Sequence, residues 1–138
     1  MIEKEDLVQA LISALEATAG FSSSGAIEPG KVGELTADDL EAELSNPTTT
    51  PLLLDVYAVW CGPCKMMAPQ LVEAAGELGD AVRVAKIDSD KYPDWSRKLK
   101  IGAFPTVILF GGDGKEVQRV EGALMKDQLM DMARSQAK

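Results

Sequence analysis

The sequence of 138 residues contains no histidine and only two cysteines. Without histidine the chain has no Ser-His or Cys-His pair to activate a nucleophile, which excludes enzymes that depend on such a pair. Two cysteines are also too few for a four-ligand zinc site, unless carboxylates or a second chain complete it. Whatever chemistry this protein performs therefore proceeds without imidazole.

Positive charge is scarce as well. The chain has 14 Lys and Arg against 22 Asp and Glu, which gives a net charge of -8. A nucleic-acid interface needs an excess of cations facing the phosphates, so we expect no nucleic-acid partner. No apolar run approaches the length of a membrane span, and we expect no membrane partner either. The 46% of apolar residues is typical of a globular domain, which we expect to be a monomer.

The acidic excess lies at one end of the chain. Residues 1–50 contain ten acidic and two basic side chains, whereas residues 51–138 contain twelve of each. A transit peptide would be rich in Arg and a secretory signal would begin with a basic stretch, so we expect neither in this sequence. Within the acidic part, the run Asp38, Asp39, Glu41 and Glu43 predicts the solvent-exposed face of a helix.

The composition divides the chain near residue 33. Between Glu3 and Ala19 the apolar residues recur at the i, i+4 spacing of an amphipathic helix, which Gly20 ends. The stretch from Phe21 to Gly33 is rich in Ser, Gly and Pro, as in a loop, and any strand there would be short and weak, around Lys31 to Glu34. We therefore predict an N-terminal helical extension with its linker over residues 1–33, and the main domain over residues 34–138.

Strands and helices alternate in the main domain. Thr36, followed by Asp39, is typical of a helix start, because the Thr hydroxyl accepts a backbone N–H that the helix leaves unpaired. Later patterns predict strands at Leu52–Val59, Ala81–Ile87, Thr106–Phe110 and Glu116–Glu121, and helices at Pro63–Gly79, Pro93–Lys98 and Leu124–Ser135. This order predicts an α/β fold with a mixed central β-sheet and helices on both faces.

The two cysteines lie in the segment Trp60-Cys61-Gly62-Pro63-Cys64, where a buried strand gives way to a helix. A helix N-terminus carries partial positive charge and free N–H groups, which stabilise the thiolate that attacks disulfides. We predict that Cys61, at the exposed start of the helix, is the nucleophile and that Cys64, one turn later, resolves the mixed disulfide. Pro63 suits the first turn, where its missing N–H costs nothing.

Two other interpretations of the cysteine pair are weaker. A purely structural disulfide would close a very short loop and would restrict the unfolded chain little. A metal-binding pair lacks partner ligands. We therefore interpret the pair as a redox-active dithiol.

The segment Leu52–Pro69, together with Phe104-Pro105-Thr106 and Gly122, resembles thioredoxin from about Leu35 to Ala137. The resemblance implies the thioredoxin fold and protein-disulfide reductase activity without a bound cofactor. It also implies two kinds of partner, disulfide-containing client proteins and a reductase that reduces the oxidised pair. Outside this interpretation, the domain could be a disulfide oxidase or isomerase, or a non-catalytic binding subunit of thioredoxin fold.

Three short segments are most similar to the y-type thioredoxins of plastids: Ala85–Asp88, Asp90–Pro93 and Val120–Leu124. This closer similarity implies the chloroplast stroma, a ferredoxin-dependent reductase, and antioxidant clients such as peroxiredoxins and methionine sulfoxide reductases. The alternative is a bacterial or cytoplasmic thioredoxin that an NADPH-dependent flavoenzyme reduces.

The resemblance also assigns a role to two charged residues. Asp55 matches a buried carboxylate that accepts a proton from the resolving cysteine. Its apolar neighbours predict burial, which raises the pKa of a carboxyl group. Lys86 matches a lysine near this acid that would tune it as a counter-charge; a solvated lysine at a strand end is the alternative.

The remaining site residues are expected to contact substrate. Pro105 matches a cis-proline that faces the disulfide, and Phe104 departs from the smaller aliphatic residue usual in the family. Trp60 either shields the thiolate and contacts substrate or packs against the domain. Gly62, Pro63 and Gly122 complete this predicted substrate-binding set, whereas Tyr57 is interpreted as a core residue.

Overall fold

The computed structural model describes residues 25–135. The predicted helix between Glu3 and Ala19 lies outside the described residues, so the division into an extension and a main domain stays a prediction. The first strand, Val32–Leu35, lies within one residue of the short strand expected around Lys31 to Glu34, and it includes Val32 and Gly33 of the predicted linker. No helix within residues 25–135 is long and apolar enough to cross a membrane.

The centre of the fold is a five-stranded mixed sheet in the order β1-β3-β2-β4-β5. Strands β1, β3 and β2 run parallel to one another, and β4 is antiparallel to both β2 and β5. The strands are β1 Val32–Leu35, β2 Leu52–Tyr57, β3 Arg83–Asp88, β4 Thr106–Phe110 and β5 Glu116–Glu121. The predicted mixed sheet is confirmed.

Helices cover both faces of the sheet: α1 Ala37–Ser45, α2 Gly62–Leu78, α3 Pro93–Lys98 and α4 Lys126–Arg134. Successive side chains of a strand point to opposite faces, and β2 shows this directly. Leu53 packs in a core with residues of α2 and α4, whereas Leu52 and Leu54 pack in a second core with residues of α1 and α3. Asp55 has the same parity as Leu53 and therefore points towards the face that α2 covers.

Several predicted element boundaries shift by a few residues. Strand β2 ends at Tyr57, and Val59 is exposed instead of continuing the buried run. Strand β3 begins at Arg83 and α4 at Lys126, each two residues after the predicted start. The predicted helix start at Thr36 is confirmed, since its hydroxyl accepts the Asp39 N–H at 3.1 Å.

One prediction for α1 is wrong. Asp38 and Glu41 are exposed as expected, but Glu43 is buried. It forms an ion pair with Arg83 of β3, whose guanidinium also donates to the carbonyl oxygen of Thr50 at 2.9 Å. The packing of α1 on the sheet thus buries a carboxylate, and the cation from β3 compensates for its desolvation.

Replacing this buried acid should destabilise the fold. We expect Glu43→Gln to lower the free energy of unfolding by about 2 kcal/mol, because the Arg83 guanidinium keeps its contacts to Thr50 but loses its charged partner. Urea denaturation at pH 7 measures the change. Glu41→Gln, on the exposed side of the same helix, is the control and should shift the value by less than about 0.5 kcal/mol. Equal effects of the two substitutions would contradict the assignment.

Candidate active site

Cys61 and Cys64 form a disulfide at the N-terminus of α2, with their Cα atoms 5.2 Å apart. Cys61 is the N-cap residue, and its Sγ accepts the backbone N–H of Cys64 at 3.1 Å. A sulfur atom thus occupies the place where Ser or Asp oxygens usually cap a helix. Negative charge on Cys61 would be stabilised by this N–H and by the helix dipole.

Exposure does not distinguish the two cysteines. The prediction placed Cys61 at an exposed start of the helix, but both residues are only 5% exposed in the disulfide form. The exposed residues are the neighbours Trp60, Gly62 and Pro63. What separates the cysteines is position, because the N-cap sulfur accepts the N–H of Cys64 and lies at the positive end of the helix.

The loop before β4 lies against the disulfide. The Phe104–Pro105 peptide bond is cis, as the resemblance implied. Phe104 packs against the cluster that contains both cysteines. The Gly122 N–H, at the end of β5, donates to the Pro105 carbonyl oxygen at 2.8 Å. The structure therefore brings Phe104, Pro105 and Gly122 to the same end of the sheet as the cysteine pair.

Trp60 is exposed but held in place. The residue is 65% exposed, and its ring meets that of Phe104 edge to face, with centroids 5.7 Å apart. Its Nε1–H donates to Asp90 Oδ2 at 2.9 Å. Trp60 thus presents an indole face beside the disulfide instead of packing into the core. Asp90 was not among the predicted site residues, because thirty positions separate it from Trp60 and no local pattern indicates the contact.

Asp55 is buried, as predicted, with 3% of its surface exposed. Its Oδ1 atom has no hydrogen-bond partner among the described residues. A pocket of about 290 Å³ is lined by both Asp55 and Cys64, so the carboxyl group and the second cysteine border the same cleft. Burial raises the pKa of Asp55 to about 7, the positive charge of Lys86 opposes this rise, and the negative charge of Glu34 adds to it.

Lys86 lies next to Asp55 in the sheet but pairs with another acid. Its Nζ is 3.7 Å from Glu34 Oε1 and 5.1 Å from the centroid of the Tyr57 ring. Tyr57, interpreted as a core residue, is only half-buried, and its hydroxyl donates to Glu34 Oε2 at 2.7 Å. Burial, followed by this hydrogen bond, raises the pKa of Tyr57. Glu34 was missed, because only the pairing of β1 with β3 brings it here.

Metal binding has no support in this part of the chain. Residues 25–135 contain no group of three or more Cys, Asp and Glu side chains that could hold a metal ion. The site that the described residues form is a disulfide, a buried carboxyl group and an exposed rim of Trp60, Gly62 and Pro63.

The family model for thioredoxin matches residues 31–135. This chain belongs to the thioredoxin family. It is 48% identical over 95 residues to the chloroplastic thioredoxin Y1 of Arabidopsis thaliana. The match covers 69% of this chain and 54% of that protein. The chloroplastic thioredoxin Y of Oryza sativa is 44% identical over 93 residues, or 67% of this chain and 55% of that protein. The chain thus spans about half the length of these plant relatives, and the predicted similarity to y-type thioredoxins is confirmed.

A bacterial relative and two solved structures agree with this assignment. A thioredoxin-like protein of Synechocystis is 43% identical over 89 residues, or 64% of this chain and 84% of that protein. The crystal structure of chloroplastic thioredoxin z shares 34% identity at a TM-score of 0.69, covering 76% of this chain and 93% of that chain. A mutant thioredoxin from Halobacterium salinarum shares 33% identity at a TM-score of 0.70, and the match covers 83% of this chain and 97% of that chain. The predicted thioredoxin fold is confirmed.

Proposed function

We propose that this protein is a thiol-disulfide oxidoreductase that reduces protein disulfides through Cys61 and Cys64. The observation that carries the proposal is the disulfide at the N-terminus of α2, in which Cys61 Sγ accepts the Cys64 N–H. The same helix terminus stabilises a Cys61 thiolate once the disulfide is reduced. Membership of the thioredoxin family supports this chemistry.

The reaction has two exchange steps, and together they transfer two electrons to the client. The Cys61 thiolate attacks one sulfur of a client disulfide, forms a mixed disulfide and displaces the other client sulfur as a thiolate. Cys64 then loses its proton and attacks Cys61 Sγ. This second step forms the Cys61–Cys64 disulfide and releases the remaining client sulfur as a thiolate. A reductase must then return two electrons to the pair.

Asp55 is the proposed proton acceptor for Cys64. The two residues line the same pocket, and the described part of the chain has no histidine to take this role. The raised pKa of the Asp55 carboxyl group, about 7, lies close to neutral pH. It is also closer to the pKa of a thiol than the ordinary carboxyl value of 3.8, and this similarity makes proton transfer efficient in both directions. Lys86 is the proposed counter-charge that tunes this carboxyl group.

We infer that clients dock on the exposed rim around the disulfide. Trp60 offers an aromatic face, as anchors of protein interfaces commonly do, and Gly62 and Pro63 are exposed beside it. Phe104, Pro105 and Gly122 lie at the same end of the sheet, where backbone near the cis-proline could pair with an extended client segment. Phe104 is larger than the aliphatic residue usual at this position in the family, and its edge-to-face contact with Trp60 adds a second aromatic ring beside this surface.

The partners and the compartment are inferred from the y-type relatives. We propose that the protein acts as a monomer in the chloroplast stroma, with ferredoxin-thioredoxin reductase as its electron source. The proposed clients are antioxidant enzymes, namely peroxiredoxins or methionine sulfoxide reductases. The chloroplastic relatives in Arabidopsis thaliana and Oryza sativa support this assignment. A cytoplasmic protein reduced by an NADPH-dependent flavoenzyme is the alternative.

Insulin reduction by dithiothreitol tests the activity and its direction. We expect catalytic amounts of the full chain to accelerate the reaction, and the double variant Cys61→Ser, Cys64→Ser to leave it at the uncatalysed rate. Replacing dithiothreitol with ferredoxin-thioredoxin reductase should sustain turnover, whereas an NADPH-dependent reductase should not. A fully active double variant would exclude the dithiol mechanism, and turnover with only the NADPH enzyme would overturn the proposed partner.

A further inference from the structure

Three side chains form a row across neighbouring strands on the face that α2 covers. Glu34 of β1 is in register with Lys86 of β3, and Lys86 is in register with Asp55 of β2. Adjacent strands lie roughly 5 Å apart, so Lys86 has an acid on each side. The next residue in the row, Val107 of β4, carries no charge. Lys86 therefore has two possible acidic partners.

The structure shows which acid Lys86 pairs with. Its ammonium is 3.7 Å from Glu34 Oε1, and no ion pair joins it to Asp55 within residues 25–135. The Tyr57 ring, 5.1 Å away, attracts the same ammonium through its π face. The Tyr57 hydroxyl in turn holds the Glu34 carboxylate at 2.7 Å. Glu34, Tyr57 and Lys86 thus stabilise one another, and the last two also line the pocket that Asp55 borders.

The other titratable groups near Asp55 do not provide a hydrogen-bond partner for its Oδ1 atom either. Tyr57, Cys64, Lys65 and Lys86 line the pocket with Asp55, whereas Glu34 is in register with Lys86 and Asp88 with Tyr57. None of them hydrogen-bonds to Asp55 Oδ1, which is buried without a partner among the described residues. An ammonium group that paired with this oxygen would lower its basicity.

We propose that Glu34 is a positioning residue for the second exchange step: with Tyr57 it holds the Lys86 ammonium away from Asp55, so that Asp55 faces Cys64 without an ion-pair partner. The inference rests on the proposed function. In that step the proton moves from the Cys64 thiol to the Asp55 carboxylate, and the resulting Cys64 thiolate attacks Cys61 Sγ. A carboxylate already paired with Lys86 would be a weaker base for this transfer.

Carbon-detected NMR titration of the Asp55 carboxyl group in the oxidised full chain tests the proposal without relying on activity. Glu34→Gln frees Lys86 to pair with Asp55 and removes a negative charge, and both changes favour the carboxylate. We expect the pKa of Asp55 to fall by about one unit. Tyr57→Phe, which removes only the hydroxyl bond to Glu34, should give a smaller fall. The acid limb of the pH profile for insulin reduction should move to lower pH by the same amount.

Two controls separate positioning from a general change of charge. Glu28→Gln removes an exposed acid just before β1, paired with Lys31, and should leave the pKa of Asp55 unchanged. In a Lys86→Met background, Glu34→Gln should shift the pKa by less than half as much. If Glu34→Gln shifts the pKa of Asp55 equally with and without Lys86, the proposal is overturned. It is also overturned if neither Glu34→Gln nor Tyr57→Phe shifts that pKa. A wild type that reduces no disulfide would overturn the proposed function and leave the titration result in place.

Discussion

Cys64→Ser is expected to accumulate a covalent mixed disulfide between Cys61 and its client, whereas Cys61→Ser is expected to form none. In the first variant the N-cap thiolate still attacks, but no thiol remains to release the client. In the second variant the serine hydroxyl takes the N-cap position and cannot attack a disulfide at neutral pH. Both substitutions should lower the rate of insulin reduction by about a thousandfold or more.

Intact-mass measurement and non-reducing electrophoresis after mixing with an oxidised client detect the adduct, and dithiothreitol should remove it. The matched pair of variants matters because the two cysteines are equally exposed in the disulfide form, so their exposure there does not identify the nucleophile. Capture of the client by Cys61→Ser as efficiently as by Cys64→Ser would contradict the assignment of Cys61 as the nucleophile. A Cys64→Ser variant that retains full turnover would show that the second cysteine is not needed.

Local patterns along the chain were sufficient to predict that the cysteine pair lies at a helix N-terminus and that Asp55 is buried. A dithiol at a strand-to-helix transition is recognisable because the helix N-terminus is encoded within a few residues of Cys61. The burial of Asp55 follows from its apolar neighbours on β2, since a central strand is covered on both faces. The cis bond before Pro105 came only from the resemblance, because nothing in the local sequence determines it.

The contacts that position the charges could not be predicted in this way. Glu34 meets Lys86 only through the register of β1 with β3, which joins residues 52 positions apart. Strand β1 is four residues long and contains Gly33, so the sequence predicted at most a short, weak strand there and gave no indication of its pairing. Glu43 followed the exposed acids of α1 in sequence, but it lies one turn after buried Leu40 and has its cation forty positions away.

The burial of Asp55 should cost stability at neutral and alkaline pH. Its pKa is 3.8 in the unfolded chain and about 7 in the folded one, so the native state binds more protons between these values. The contribution of Asp55 to the free energy of unfolding should therefore be highest below pH 4, fall as the pH rises towards 7, and level off above it. A shift of this size corresponds to about 4 kcal/mol. This change of stability with pH has the opposite sign to that of an acid stabilised by a salt bridge, whose contribution is lost as the pH falls.

Asp55→Asn should remove this loss, because its neutral amide resembles the protonated acid in size and charge. We expect the variant to match the wild type at pH 4 and to exceed its free energy of unfolding by about 4 kcal/mol at pH 8. Urea denaturation of the oxidised proteins, followed by far-UV circular dichroism, measures both values. Glu73→Gln, an exposed acid on α2, is the control for the change in net charge and should follow the wild type. A pH slope in Asp55→Asn equal to that of the wild type would mean that another group titrates. Slower insulin reduction by the more stable variant would show why the chain retains a destabilising acid, since that acid takes the proton from Cys64.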